Sequence, residues 1–132
     1  MAVYNGTSSD SLLNNHLSII RTADYGSQAR ASIANAVDRC YTLAVIKAGY
    51  ARNGVTRAVI NEHINRIRNA VFGEEVRDAL KTGLTLCYSA RGISLSSAEQ
   101  TYLTNLINAQ IGEDLKNYIL RSFVQCCQDV KA

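Results

Sequence analysis

Proline and tryptophan are absent from this chain, phenylalanine occurs only twice, and no two cysteines stand at the C-x-x-C spacing. Without proline no helix is broken by a residue that lacks an amide donor, which suits an all-α pattern. No apolar run approaches the roughly 18 residues that a membrane-spanning helix requires, so no membrane role is expected. Sustained alternation of β-branched residues is missing, which argues against a sheet. The first ten residues carry neither the basic region nor the apolar stretch of a secretory signal, so folding in a cytoplasm is expected. In that setting Asn5-Gly6-Thr7 is a coincidental match to a glycosylation acceptor.

Charge of one sign is also scarce. The net charge is +3, and apolar residues make up 47% against 19% charged, the balance of a folded globular domain rather than a disordered chain. At 132 residues a single domain spanning 1–132 can bury a core without metal or disulfide staples. Residues 16–91 hold eleven of the Lys and Arg against six acids, and residues 92–132 hold three against four. Arg57, Arg66 and Arg68 are the one dense basic group. A nucleic-acid binder normally shows a broader basic stripe, so these read as a solvated helix face.

What is present is a segment repeated along the chain. Residues 16–41 lie over residues 63–88 without a gap, and eight of those 26 positions are identical, His, Ile, Arg, Ala, Gly, Arg, Cys and Tyr in order. Chance would give about one or two. A weaker third copy includes Leu103, Leu106, Ala109, Gly112, Lys116, Ile119, Phe123 and Cys126. The repeats run approximately 6–53, 54–91 and 92–132. Repeated units of this size bury their apolar faces against one another, which makes most of the chain scaffold.

Each repeat contains two stripes at steps of three and four. The first stripes are Leu13, Leu17, Ile20, Ala23; Ile60, Ile64, Ile67, Ala70; and Leu103, Leu106, Ala109. The second are Ala29, Ile33, Val37, Cys40; Val76, Leu80, Leu84, Cys87; and Leu115, Ile119, Phe123, Cys126. That period predicts six helices, near 9–24, 28–51, 57–71, 74–90, 96–110 and 113–129. Ser8 or Ser9, Thr56, and Ser96 or Ser97 are placed to cap the first helix of each pair. The fold expected is all-α, three tandem αα-hairpins, arranged either as a short solenoid or as a closed pseudo-threefold bundle.

The joints are Tyr25-Gly26, Phe72-Gly73 and Ile111-Gly112, where each glycine is expected to supply a left-handed helix end. Arg21 and Arg68 fall in last turns, where a cation suits the exposed carbonyls. Arg30, Arg77 and Lys116 stand four residues after the glycines, near helix starts that do not favour cations, so their recurrence points to an acceptor such as turn carbonyls or an acid on the adjoining hairpin, in preference to a shared ligand-binding role.

Chemistry is hard to find. Cys40, Cys87 and Cys126 share one position in the repeats, with Cys127 following; one cysteine per repeat on an apolar face reads as a small buried hydrophobe, with no metal site, cofactor or disulfide expected. His16 and His63 are equivalent and become Tyr102 in the third repeat, with no recurring acid or nucleophile to orient them. Phosphate-loop, H-E-x-x-H and calcium-loop patterns are missing. No enzyme is expected. Seven tyrosines suggest interface use, and Tyr41, Tyr50 and Tyr88 are the candidates to line a partner surface, or else to pack half-buried between hairpins.

Ile67, Arg68, Ala70, Phe72, Gly73, Val76, Arg77 and Leu80 follow the form I-R-x-A-x-[YF]-G-x-x-V-R-x-x-[IL]. That string resembles a helical segment near the N-termini of tail, baseplate and fibre proteins of tailed bacteriophages, mainly from Gram-positive hosts. Ile20, Arg21, Ala23, Tyr25, Gly26 and Arg30 are a second match, and the copy around Ile111, Gly112 and Lys116 has Ile107 in place of the first arginine. The resemblance implies attachment: an adaptor, connector, anchoring or decoration component, located in the virion and in the host cytoplasm during assembly, binding other virion proteins and itself. Fibres carry a larger appendage after the segment, whereas none is expected beyond Ala132. The other reading is a cytoplasmic helical module or regulator with a protein or nucleic-acid partner.

Overall fold

The computed structural model describes residues 3–24, 26–70, 73–109 and 113–127, and within them every regular element is a helix. Tyr25, Phe72, Ile111 and Gly112 lie outside the described residues. The helices are α1 Ser11–Thr22, α2 Ser27–Ala48, α3 Arg57–Asn69, α4 Gly73–Arg91, α5 Ser97–Asn108 and α6 Glu113–Cys126, with a short 3-10 turn Arg52–Gly54 before α3. All six coincide with the periodic stretches of the sequence. Each stripe residue named above is buried, so the period that defines the helices also defines the core.

Caps explain where the first helices start. Thr56 accepts from the Val59 amide, and Ser96 forms a reciprocal capping box with Glu99. At α1 the cap is Asp10 rather than Ser8 or Ser9: its Oδ2 accepts from the Leu13 amide at 2.9 Å while Arg39 holds the same carboxylate from α2. Ser8 instead braces the approach, its amide donating to Asn14 Oδ1.

The first helices end alike, and not as expected. Ala23, Ala70 and Ala109 close α1, α3 and α5 with φ/ψ of −76/144, −61/136 and −69/144, extended backbone that any residue adopts. Gly26 then opens α2 at φ −172, also extended, so the left-handed elbow predicted there does not exist. Among the described residues the glycines that do take positive φ are Gly49, Gly54 and Gly92, all in the connections between helix pairs. The chain therefore needs glycine where one pair hands over to the next.

Packing follows a cyclic order. Within pairs, α1 lies on α2, α3 on α4 and α5 on α6; between pairs, α3 packs on α2, α5 on α4, and α1 on α6. The second helices α2, α4 and α6 touch one another, forming the middle of the molecule. A stacked solenoid would leave the first and last pairs apart, so the α1–α6 and α2–α6 contacts make this a closed bundle. At the α2–α4 crossing Gly83 allows close approach: a Cβ there would meet Val37 Cγ1 at 3.2 Å.

The N-terminal arm fastens the seam between α1 and α6. The Tyr4 amide donates to Asn117 Oδ1 of α6, while Arg21 of α1 donates to the carbonyls of Tyr4 and Gly6. Arg121 of α6 stacks over the Tyr4 ring at 4.3 Å, a cation–π contact that adds to the two backbone anchors.

Candidate functional site

The motif cations come first, because they had no local partner in the sequence. Arg77, near the start of α4, donates to the carbonyl of Ala109 at the end of α5. Lys116, near the start of α6, donates to the carbonyls of Arg21 and Ala23 at 3.2 and 2.8 Å. Each cation thus reaches the last turn of a first helix in another pair, where carbonyls lack intrahelical partners. Arg30 has a buried Nε with no hydrogen-bond partner among the described residues. Arg21 and Arg68 sit in last turns as expected, yet they serve other segments: Arg21 the N-terminal arm, and Arg68 the Asn35 side chain of α2 at 2.9 Å.

The basic group is likewise engaged. Arg57 pairs with Asp38 at 2.7 Å, donates to Thr42 and stacks over Tyr41, tying α3 to α2. Arg66 pairs with Asp78 at 3.2 Å.

For two of the three tyrosines burial decides between a partner surface and packing between hairpins, in favour of packing. Tyr41 and Tyr88 are each only 4% exposed, and the Tyr41 hydroxyl donates to the Val55 carbonyl at 2.7 Å, closing the connection between the first two pairs. Each follows a core cysteine by one residue, and the second helices are covered on so many sides that the next position is buried too. Tyr50 is different. It lies just past α2 with 61% of its surface exposed, and Ile46 on the last turn of α2 is 54% exposed.

Tyr50 adjoins further exposed surface. Arg52 stacks over the Tyr50 ring at 5.0 Å, and its Cδ crosses Gly92 so closely that a Cβ there would come within 2.6 Å. Ile93, beside Gly92, is again exposed. An open cleft of about 370 Å³ adjoins this point, lined by Asn53, Ser89, Ile93, Ser94, Leu95 and Gln100 among others. Its donors and acceptors are amides and hydroxyls, suited to binding more than to proton transfer. His16 and His63 are elsewhere, on α1 and α3, and His63 meets Arg66 rather than an acid.

A second feature lies inside. Cys40, Cys126 and Cys127 are buried, and their Sγ atoms all fall within 4.8 Å of one another. Cys127 donates to Cys40 across 2.9 Å, joining α2 to the residue after α6. Burial pushes the Cys40 and Cys87 thiols up from their ordinary range. The Cys126 thiol moves the other way, lowered by its side-chain contact with Cys127 and then by that with Cys40. Spacing along the chain gives no hint of this cluster, since 40 and 126 are far apart. The available signal was alignment: Cys127 occupies the repeat position held by Tyr41 and Tyr88, so the third pair carries a sulfur where the others carry a ring.

Compared with models of protein families, with curated proteins and with solved structures, the chain matches none.

Proposed function

We propose that this chain is a non-enzymatic structural or assembly protein of a bacteriophage virion, an adaptor, connector, anchoring or decoration component that acts through helical protein–protein interfaces. The observation that carries the interface reading is the outer face of Ile46, Tyr50, Arg52 and Ile93, where large apolar side chains stay exposed around a stacked guanidinium. Tyrosine and arginine are the residue types that anchor protein interfaces, and an adjoining polar cleft supplies a rim. The resemblance of the glycine-centred segments to phage attachment modules supplies the virion context. Arg57, Arg66 and Arg68 are held by side chains of their own molecule, which disfavours a nucleic-acid partner.

Gradient-purified particles of the phage whose genome encodes the chain provide the test. The chain should co-sediment with them at a fixed ratio to the capsid or tail proteins. Recovery only from the particle-free lysate overturns the proposal.

A further inference from the structure

We propose that Cys40, Cys126 and Cys127 form a binding site for one soft monovalent metal ion of the copper(I) class. The inference rests on the buried cluster and is independent of the virion reading. Metal–sulfur bonds of about 2.3 Å set the sulfurs of a three-coordinate site about 4 Å apart. The three Sγ atoms already lie within 4.8 Å of one another. The Cys40–Cys127 pair, at 2.9 Å, needs to open by about 1 Å for a central ion to reach all three.

The donors are held by the fold. Cys40 is fixed in the body of α2, and Cys126 ends α6 with its carbonyl accepting from Arg91 of α4 at 3.3 Å. Cys127 is brought inward by the backbone bond from its amide to the Phe123 carbonyl. In the other two pairs the position of Cys127 is filled by tyrosine, and here a third sulfur in contact with Cys40 takes its place.

The donor set selects the ion. It is sulfur only, which suits soft cations and not magnesium or calcium. Structural zinc takes four ligands, whereas the fourth cysteine, Cys87, stands outside this group. Copper(I) accepts a trigonal set of sulfurs, and its binding releases thiol protons to solvent as thiolate–metal bonds form.

The test is an anaerobic titration of the reduced full-length protein with copper(I) held by a chromophoric copper(I) chelator, with zinc(II) titrated in parallel and thiols counted beforehand. One copper(I) per chain should leave the chelator, with an ultraviolet sulfur-to-copper charge-transfer band. Cys40→Ser and Cys127→Ser should each abolish this, and Cys87→Ser should retain it. X-ray absorption of the copper-loaded wild type should show sulfur neighbours alone, a readout that holds even where a variant fails to fold. Failure to withdraw copper(I), binding retained in a folded Cys40→Ser protein, tighter binding of zinc(II), or nitrogen or oxygen neighbours overturns the proposal. So does a Cys40–Cys127 disulfide whose reduction yields no copper(I) affinity.

Discussion

The ammonium of Lys116 lies 2.8 Å from the carbonyl oxygen of Ala23, joining residues 93 positions apart. Ala23 ends α1 and Lys116 lies in the first turn of α6, so this bond closes the seam between the first and last helix pairs. Arg77 makes the corresponding bond to Ala109, between the second and third pairs. Residues that resemble an attachment motif, Lys116 and Arg77, are thus occupied in holding helix pairs together.

Asp10 should govern the acid side of stability. Two hydrogen bonds from Arg39 hold its carboxyl below the usual carboxylate range. A depressed folded-state value means that its stabilisation is complete above the unfolded value of about 3.9 and is lost as pH falls through the folded value. Asp10→Ala removes a cap and leaves Arg39 without its carboxylate, costing about 3 kcal/mol at neutral pH. Thermal melts of the variant and the wild type should begin to draw together as pH falls below about 4 and should converge only below the depressed folded-state value.

Glycine substitutions should separate the connections from the joints. Gly49 caps α2 at φ +88, so Gly49→Ala should cost about 1 kcal/mol. Gly26 is extended and a Cβ there meets nothing within 4 Å. Gly26→Ala should leave stability within about 0.5 kcal/mol of wild type in urea titration.

Tyr41→Phe keeps the buried ring but strips the Val55 carbonyl of its donor. The expected loss is about 1–2 kcal/mol, measurable as a lower urea midpoint with an unchanged slope.

Ile46→Ser with Tyr50→Ser tests the outer face. Both side chains are more than half exposed, so the melting temperature should stay within a few degrees of wild type. Co-sedimentation with virion proteins should be lost. A variant that still co-sediments places the contact elsewhere.

The helices and core were legible because the period of three and four is a direct consequence of helical geometry, and Leu13, Ile60, Leu84 and Phe123 each obey it. The cap at Asp10 was obscured by Ser8 and Ser9, two equally capable side chains just ahead of it. Burial of Tyr41 and Tyr88 was not legible, because a position one residue off the stripe is covered only when neighbours approach from several sides, as they do around α2 and α4. The joints misled for a related reason: a glycine near a helix end permits a left-handed residue without requiring one, Gly26 is extended, and Ala23, Ala70 and Ala109 end their helices with ordinary extended backbone. Partners far apart in sequence, such as Lys116 with Ala23 and Cys127 with Cys40, leave no mark on local spacing.

The most direct test of the account is thermal unfolding of Lys116→Met, read together with co-sedimentation of the folded variant. Losing charged hydrogen bonds to two turn carbonyls should cost about 1.5–3 kcal/mol, a fall of roughly 5–12 °C in melting temperature, with co-sedimentation per folded molecule unchanged. An unaltered melting temperature with co-sedimentation abolished would contradict it, assigning the cation to the partner instead of the scaffold.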